Sequence, residues 1–259
     1  MQDAITALIL TFNEAPNIGR TLQQLTWANQ ILIVDSFSTD NTIDLVRSIA
    51  PQAIVQQRAF ESFADQCNFG LSQITTEWVL SLDADYLLTP EVVAEIAALQ
   101  PSGDVAGYRA EFRYCIFGHP LRSTVYPART VLYRRQLARY RNEGHGHRVV
   151  VGDRIEMLSG KIDHDDRKPF GHWLHSQNNY SKIEAKHLLA QSLETLSAPD
   201  RLRRQIFFAA PAMFLYLLFA RRLILDGWPG WLYVCQRTIA ETLLSVRLLL
   251  GREKLEAND

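Results

Sequence analysis

Cysteine is scarce in this sequence. Its three cysteines, Cys67, Cys115 and Cys235, stand far apart and form no C-x-x-C pair. That spacing excludes a disulfide framework and a cysteine-built zinc site, and it fits a reducing compartment. Neither sign of charge is in excess: 27 Lys and Arg stand against 28 Asp and Glu, a net charge of −1. Nothing overall points to nucleic acid, so any basic surface has to be local. A glycine-rich phosphate loop is also missing. No G-x-G-x-x-G follows the first apolar run and no G-x-x-x-x-G-K-S/T occurs, which removes the dinucleotide and P-loop ways of cradling phosphate. The apolar stretch 206–220 has 15 residues, short of the about 20 that a bilayer-spanning helix needs. No basic region or cleavage site precedes Ile5–Leu10, so this run reads as a first strand and the protein is expected to stay in the cytoplasm.

What is present suits a globular α/β protein: 47% apolar and 21% charged residues over 259 positions. That length allows one large domain, or a domain with a helical appendage. The stretch Val79 to Leu88 organises the rest. An apolar run preceded by Trp78 ends in Asp83 and Asp85, one residue apart. Asp is poor inside a strand, so both carboxylates belong at its C-terminal end. Two like charges this close repel unless a cation neutralises them, and carboxylate oxygens suit Mg²⁺ or Mn²⁺. The competing reading is an acidic pair capping a turn.

The first 90 residues alternate as β-α-β-α-β-α-β. Strands are expected at Ile5–Leu10, Ile31–Val34, Ala53–Val55 and Trp78–Leu82, with helices after Pro16, after Asp40 and over Phe60–Leu71. This order predicts a parallel sheet with helices on both faces. Three strands end on polar groups: Thr11 to Glu14, Asp35, and Asp83 with Asp85. In a parallel sheet these ends share one edge, where ligands bind. Paired carboxylates without a phosphate loop would hold a diphosphate through a metal, leaving Asp35 free to accept hydrogen bonds from a ribose or base.

These residues carry a resemblance. Thr-Phe-Asn-Glu after the first strand, Val-Asp-Ser with Thr-Asp-Asn-Thr after the second, Gln66-Cys67-Asn68, and Leu-Asp-Ala-Asp together resemble the family 2 glycosyltransferases of the GT-A fold. The similarity is greatest to the branch of inner-core lipopolysaccharide β-1,4-glucosyltransferases. The resemblance implies that Thr11, Asn13, Glu14, Asp35, Gln66 and Asn68 surround the nucleotide of a sugar donor, commonly a uridine diphosphate sugar. Asp83 would lie near the ribose and the metal, and Asp85 would bind the metal. Where that branch carries Glu after the D-x-D, Tyr86 stands here.

Residues 101–170 are expected to form the acceptor half of the same domain that begins with the nucleotide-binding residues 1–100. Gly107–Tyr114 alternates like a half-exposed strand, and Val131–Tyr133 reads as another. Arg122, Arg129, Arg134 and Arg135 make a basic stretch between and after them: a solvated face, or a fork for phosphate or carboxylate on an acidic acceptor. Arg129 and Arg148 are the candidate acceptor-binding residues. Asn142 to Arg148 concentrates proton acceptors between glycines. Glu143 is the candidate general base and His145 the second; where the resembled branch carries a His-Glu pair, His147 would be followed by Arg148. The late His of GT-A enzymes implies that His164 is a third metal ligand, against a strand-end hydrogen bonder.

Residues 171–259 are expected to be helical. Flanking arginines, the tryptophans Trp228 and Trp231, and the leucines of 232–250 suit a membrane-surface segment over 201–250, on the inner face of the cytoplasmic membrane; packing or a homodimer contact is the alternative. Arg237 and Glu241 are four apart and expected to pair. The whole reads as an inverting, metal-dependent glycosyltransferase that acts on a saccharide or lipid-linked acceptor in cell-envelope glycan synthesis. Its rivals are a catalytically inactive membrane scaffold and a haloacid-dehalogenase-type phosphotransferase, which also places D-x-D after a strand.

Overall fold

The structure is a computed structural model that describes residues 4–143, 146–152 and 154–256, and the side chains of all of these except 143, 146, 147 and 252–256. The chain forms two compact units, Met1–Pro120 with Thr124–Arg167, and Leu121–Ser123 with Lys168–Asp259.

In the first unit the expected alternation is present as β1 (Ile5–Thr11), α1 (Ile18–Gln23), β2 (Gln30–Asp35), α2 (Thr42–Ile49), β3 (Ile54–Gln57), α3 (Phe63–Gln73) and β4 (Trp78–Asp83). Then come β5 (Tyr86–Leu88), α4 (Pro90–Ala98), β6 (Val105–Ile116), β7 (His119–Pro120), β8 (Arg129–Arg134), β9 (Arg139–Glu143), β10 (Gly146–Val150) and β11 (Arg154–His164). The main sheet runs β3-β2-β1-β4-β8-β6-β11-β5, with β7 paired to β6. It is parallel from β3 through β4 and mixed beyond. The hairpin β9–β10 is a separate two-stranded sheet.

The continuous apolar runs of β1, β2 and β4 follow from burial on both faces. Ile5, Ala7 and Ile9 pack with Ile18, Leu22 and Leu25 of the α1 side. Leu8, between them, faces the other way, onto Leu32, Val34, Cys67 and Leu71. Each such side chain contributes about 1.5–3 kcal/mol on burial. Helix α3 lies so close to β1 that a Cβ on Gly70 would stand 2.6 Å from Leu8 Cδ1, which is why a residue of low helix propensity occurs there.

The second unit contains α5 (Phe170–Ala190), α6 (Ala198–Arg204), α7 (Ala209–Leu215) and α8 (Gly227–Glu256). Helix α5 ends at Ala190. Helix α8 begins at Gly227 and carries Pro229 in its first turn, where no amide partner is needed. The expected Arg237–Glu241 pair is replaced: Glu241, 4% exposed, takes Arg203 of α6 at 2.8 and 3.1 Å. Arg122, drawn into this unit, binds Asp226 through Nε at 2.6 Å. Among the described residues no helix is long and apolar enough to cross a membrane.

Candidate active site

The strand order reverses between β1 and β4. From β1 the chain adds β2 and β3 on one side, then crosses to place β4 on the other. In an open α/β sheet such a switch point opens a crevice at the carboxyl ends of the strands. Register puts the polar ends there in line: Thr11 is opposite Asp35, and Leu10 is opposite Asp83.

Helix α1 positions the D-x-D turn. Thr21 donates its hydroxyl to the carbonyl of Ala84, between the two carboxylates, at 2.6 Å. The end of β11 is brought to the same turn, since the amide of Asp165 donates to the carbonyl of Asp85 at 3.0 Å. His164 therefore stands over Asp85, with Nε2 3.1 Å from Oδ2. Burial alone would lower the His164 pKa, but the charge and hydrogen bond of Asp85, with Asp83 and Asp166 behind, hold it above the usual histidine value. Its Nδ1 is buried without a partner among the described residues. Aromatic rings enclose it: Tyr114 and Tyr126 at 4.7 Å and Tyr86 at 5.3 Å between centroids. Tyr86 itself is buried, its hydroxyl 2.5 Å from that of Tyr126.

Two polar hubs tie these ends together. Buried Asn17 donates to Glu14 Oε2 at 2.9 Å and to Asp166 Oδ1 at 2.8 Å, and accepts from Arg20 and from the amide of Arg167. Asp165, 2% exposed, accepts from Arg20 at 2.9 Å, from Arg167 at 2.7 Å and from the amide of Gly118 at 3.2 Å. Burial would raise its pKa, yet these donors and the two positive charges hold it below the usual carboxylate range. Neither hub has a sequence signal. Asn17 caps a short helix and Arg20 lies on it, and their acidic partners Asp166 and Asp165 lie 149 and 145 residues away.

The other expected site residues divide into two groups. Asp83 stays at the edge with no hydrogen bond among the described residues. Asn13 takes a left-handed φ of 53°, which Asn tolerates, and its Oδ1 accepts from the amide of Thr39 at 2.8 Å. Gln66 Nε2 donates to Ser36 and to the carbonyl of Arg58, while its Oε1 is buried and open. Asp35 is not free as expected: Thr11, the hydroxyl and amide of Ser38, and Gln57 all donate to it, at 2.5–3.2 Å. Asn68 is likewise committed, since both ends of its amide bind the Tyr140 backbone, at 2.9 and 3.0 Å. Buried strand ends need such braces, and the sequence pattern does not distinguish a brace from a ligand contact.

Glu143 ends β9 opposite Gly146. His145 lies outside the described residues, as does the side chain of Glu143. Arg148 is exposed on β10, opposite Arg141. Arg129 opens β8 and lies over the Tyr126 ring at 5.0 Å. The Arg134 guanidinium pairs with Glu77 and covers Trp78 at 4.7 Å.

The donor set at the D-x-D fits a small hard cation in part. Cis ligands of an octahedral ion at about 2.1 Å are about 3 Å apart, which is the spacing of His164 Nε2 and Asp85 Oδ2. Among the described residues no three His, Cys, Asp or Glu side chains form a cage. Mg²⁺-like sites supplied by one or two carboxylates plus phosphate oxygens and water have this character.

Comparison with known proteins decides the family. Residues 6–155, more than half of the chain, match the family model for Glycosyl transferase family 2. The chain is a family 2 glycosyltransferase. An uncharacterized glycosyltransferase of Rickettsia prowazekii is 26% identical over 88% of this chain and 80% of its own length. The lipopolysaccharide core biosynthesis glycosyltransferase LpsC of Rhizobium meliloti is 27% identical over 88% of this chain and 85% of its own. Among solved structures, the mannosyltransferase PcManGT from Pyrobaculum calidifontis, in complex with GDP-Man and Mn²⁺, superimposes with a TM-score of 0.52 at 16% identity. That match covers 97% of this chain and 86% of the other. It shares the GT-A fold with this glycosyltransferase, as expected from the strand order. The haloacid-dehalogenase reading is set aside with it.

Proposed function

We propose that this glycosyltransferase is inverting and metal-dependent, and that it moves a sugar from a uridine diphosphate donor to a saccharide or lipid-linked acceptor of the cell envelope. The observation that carries the reading is the meeting of Asp85 and His164 at 3.1 Å beside the unbonded carboxylate of Asp83, at the strand-order switch. Asp85, His164 and Asp83 would hold Mn²⁺ or Mg²⁺, which when bound neutralises the diphosphate as it departs. The segment Thr11 to Glu14 and Asp83 face the nucleotide, with the open Oε1 of Gln66 as an acceptor for it. Asp35 and Asn68 support the loops that carry these groups.

In the transfer, the acceptor oxygen attacks the anomeric carbon as its bond to the diphosphate breaks. The carbon develops the oxocarbenium character met in glycoside chemistry. The acceptor proton passes to a base in the segment 142–148, Glu143 first and His145 second. The relationship to LpsC supports an envelope acceptor.

The second unit supports a place on the inner face of the cytoplasmic membrane. Phe208, Leu215 and Phe219 are 61%, 54% and 58% exposed, and with Pro211 they follow a helical stripe. Leu225 and Trp228 are exposed close by in the chain. Residues 201–225 hold five arginines and no acidic residue, which suits an anionic bilayer surface rather than a span.

Calorimetry with a panel of nucleotide sugars, in Mn²⁺ and then in excess chelator, tests the donor reading. Binding of a uridine diphosphate sugar that disappears with chelator is expected. No binding by the folded protein would overturn it.

A further inference from the structure

Two arginines of the basic stretch seen in the sequence have acidic partners; Arg129 has none among the described residues. Arg122 is held by Asp226 and Arg134 by Glu77. Arg129 has no hydrogen bond or ion pair among the described residues; its one contact of note is the Tyr126 ring beneath it. It is half-buried. Burial would lower its pKa, and Tyr86, Tyr126 and Asp83 around it reverse that and keep the guanidinium charged.

The surroundings explain why its donors stay uncommitted. The hydroxyls of Tyr86 and Tyr126 are 2.5 Å apart and hydrogen-bond to each other. Tyr126 presents its ring to the guanidinium, and among the described residues Arg129 makes no hydrogen bond to its oxygen. With its central carbon over the Tyr126 ring and no hydrogen bond among the described residues, the guanidinium keeps its N–H donors available to a ligand. Asp83, the opposite charge in this neighbourhood, makes no hydrogen bond to it. A half-buried guanidinium with no hydrogen-bonding partner among the described residues keeps its donors available to an anion.

We propose that Arg129 is the anion-binding residue beside the D-x-D and takes a phosphate group on its open guanidinium edge. The planar fork matches two oxygens of a phosphate. Two sources offer that chemistry: the diphosphate of the donor, or a phosphate carried by the acceptor. Only the first of these rests on the nucleotide-donor reading above.

The test is calorimetry on the full chain and on Arg129→Met and Arg129→Lys, with uridine diphosphate, uridine, inorganic pyrophosphate and a hexose phosphate. Titrations are made with and without Mn²⁺, and near-ultraviolet circular dichroism checks the fold. Loss of one charge-assisted pair predicts about a 10- to 100-fold weaker phosphate ligand in Arg129→Met, still present in chelator, with the Lys variant between. If uridine diphosphate weakens relative to uridine, the phosphate is the donor's. If only the hexose phosphate weakens, it is the acceptor's, and this arm stands even if no uridine nucleotide binds. A folded Arg129→Met that binds every phosphate ligand as the parent does, or a parent that binds none of them, overturns the proposal. Should Arg129→Met fail to fold, Arg129→Lys carries the same comparison, and parental affinities there for all four ligands count against it.

Discussion

His164 Nε2 and Asp85 Oδ2 stand 3.1 Å apart, although 79 residues separate them in the chain. One ends β11 and the other follows β4, and these strands are not neighbours in the sheet. The contact exists because β5, which starts directly after Asp85, pairs with β11 and sets His164 opposite Tyr86; the Asp165 amide then binds the Asp85 carbonyl, and Thr21 holds the Ala84 carbonyl.

Asp85→Ala is therefore expected to reduce transfer by at least about 10³-fold, in the range of lost electrostatic stabilisation of a leaving group. His164→Ala should raise the Mn²⁺ concentration needed for half-maximal activity. Metal titrations of activity measure both, and a fully active Asp85→Ala would sink the metal assignment.

Thr21→Val removes the hydroxyl that fixes the D-x-D turn while keeping the side-chain shape. A stability loss of about 1 kcal/mol is expected, with a larger relative effect on Mn²⁺ affinity than on melting. Denaturant melts beside metal titrations check this. Equal Mn²⁺ affinity in the two proteins would show that the turn holds without it.

Asp165→Asn should cost roughly 1–3 kcal/mol at neutral pH. This is less than breaking a fully enclosed pair, because Arg20 and Arg167 are 28% and 33% exposed. The sign follows from the lowered folded pKa. The carboxylate's contribution is fully present above the unfolded value of about 3.9 and disappears as pH falls through the folded value. The gap between parent and variant should be constant from pH 6 to 8 and close in acid. Urea melts across pH test it, and a gap that widens in acid would contradict the hub.

Leu215→Glu with Phe219→Glu places charge in the exposed stripe of the second unit. The double variant should fold like the parent, since both positions face solvent. It should sediment several-fold less with vesicles containing anionic lipid. Parental sedimentation with these vesicles, by parent and variant alike, would locate the contact elsewhere.

The alternating first half, the ends of β1, β2 and β4, and the place of the D-x-D were legible in the residue pattern alone. These depend on local apolar runs and on residues that strands exclude, so they are written in adjacent positions. Tertiary packing set which polar residues are already bonded within the fold. Asp35 and Asn68 look like site residues in the chain, yet their oxygens and amides are taken by Ser38, Gln57 and the Tyr140 backbone. Asn17, Arg20 and Tyr126 look unremarked in the chain, yet they build the hub and the aromatic wall at His164. Glu241 has Arg237 one turn away and binds Arg203 instead. The physical reason is the same in each case. A buried polar group must find a partner wherever the fold brings one within about 3 Å, and that distance is set by how the strands and helices pack, not by spacing along the sequence.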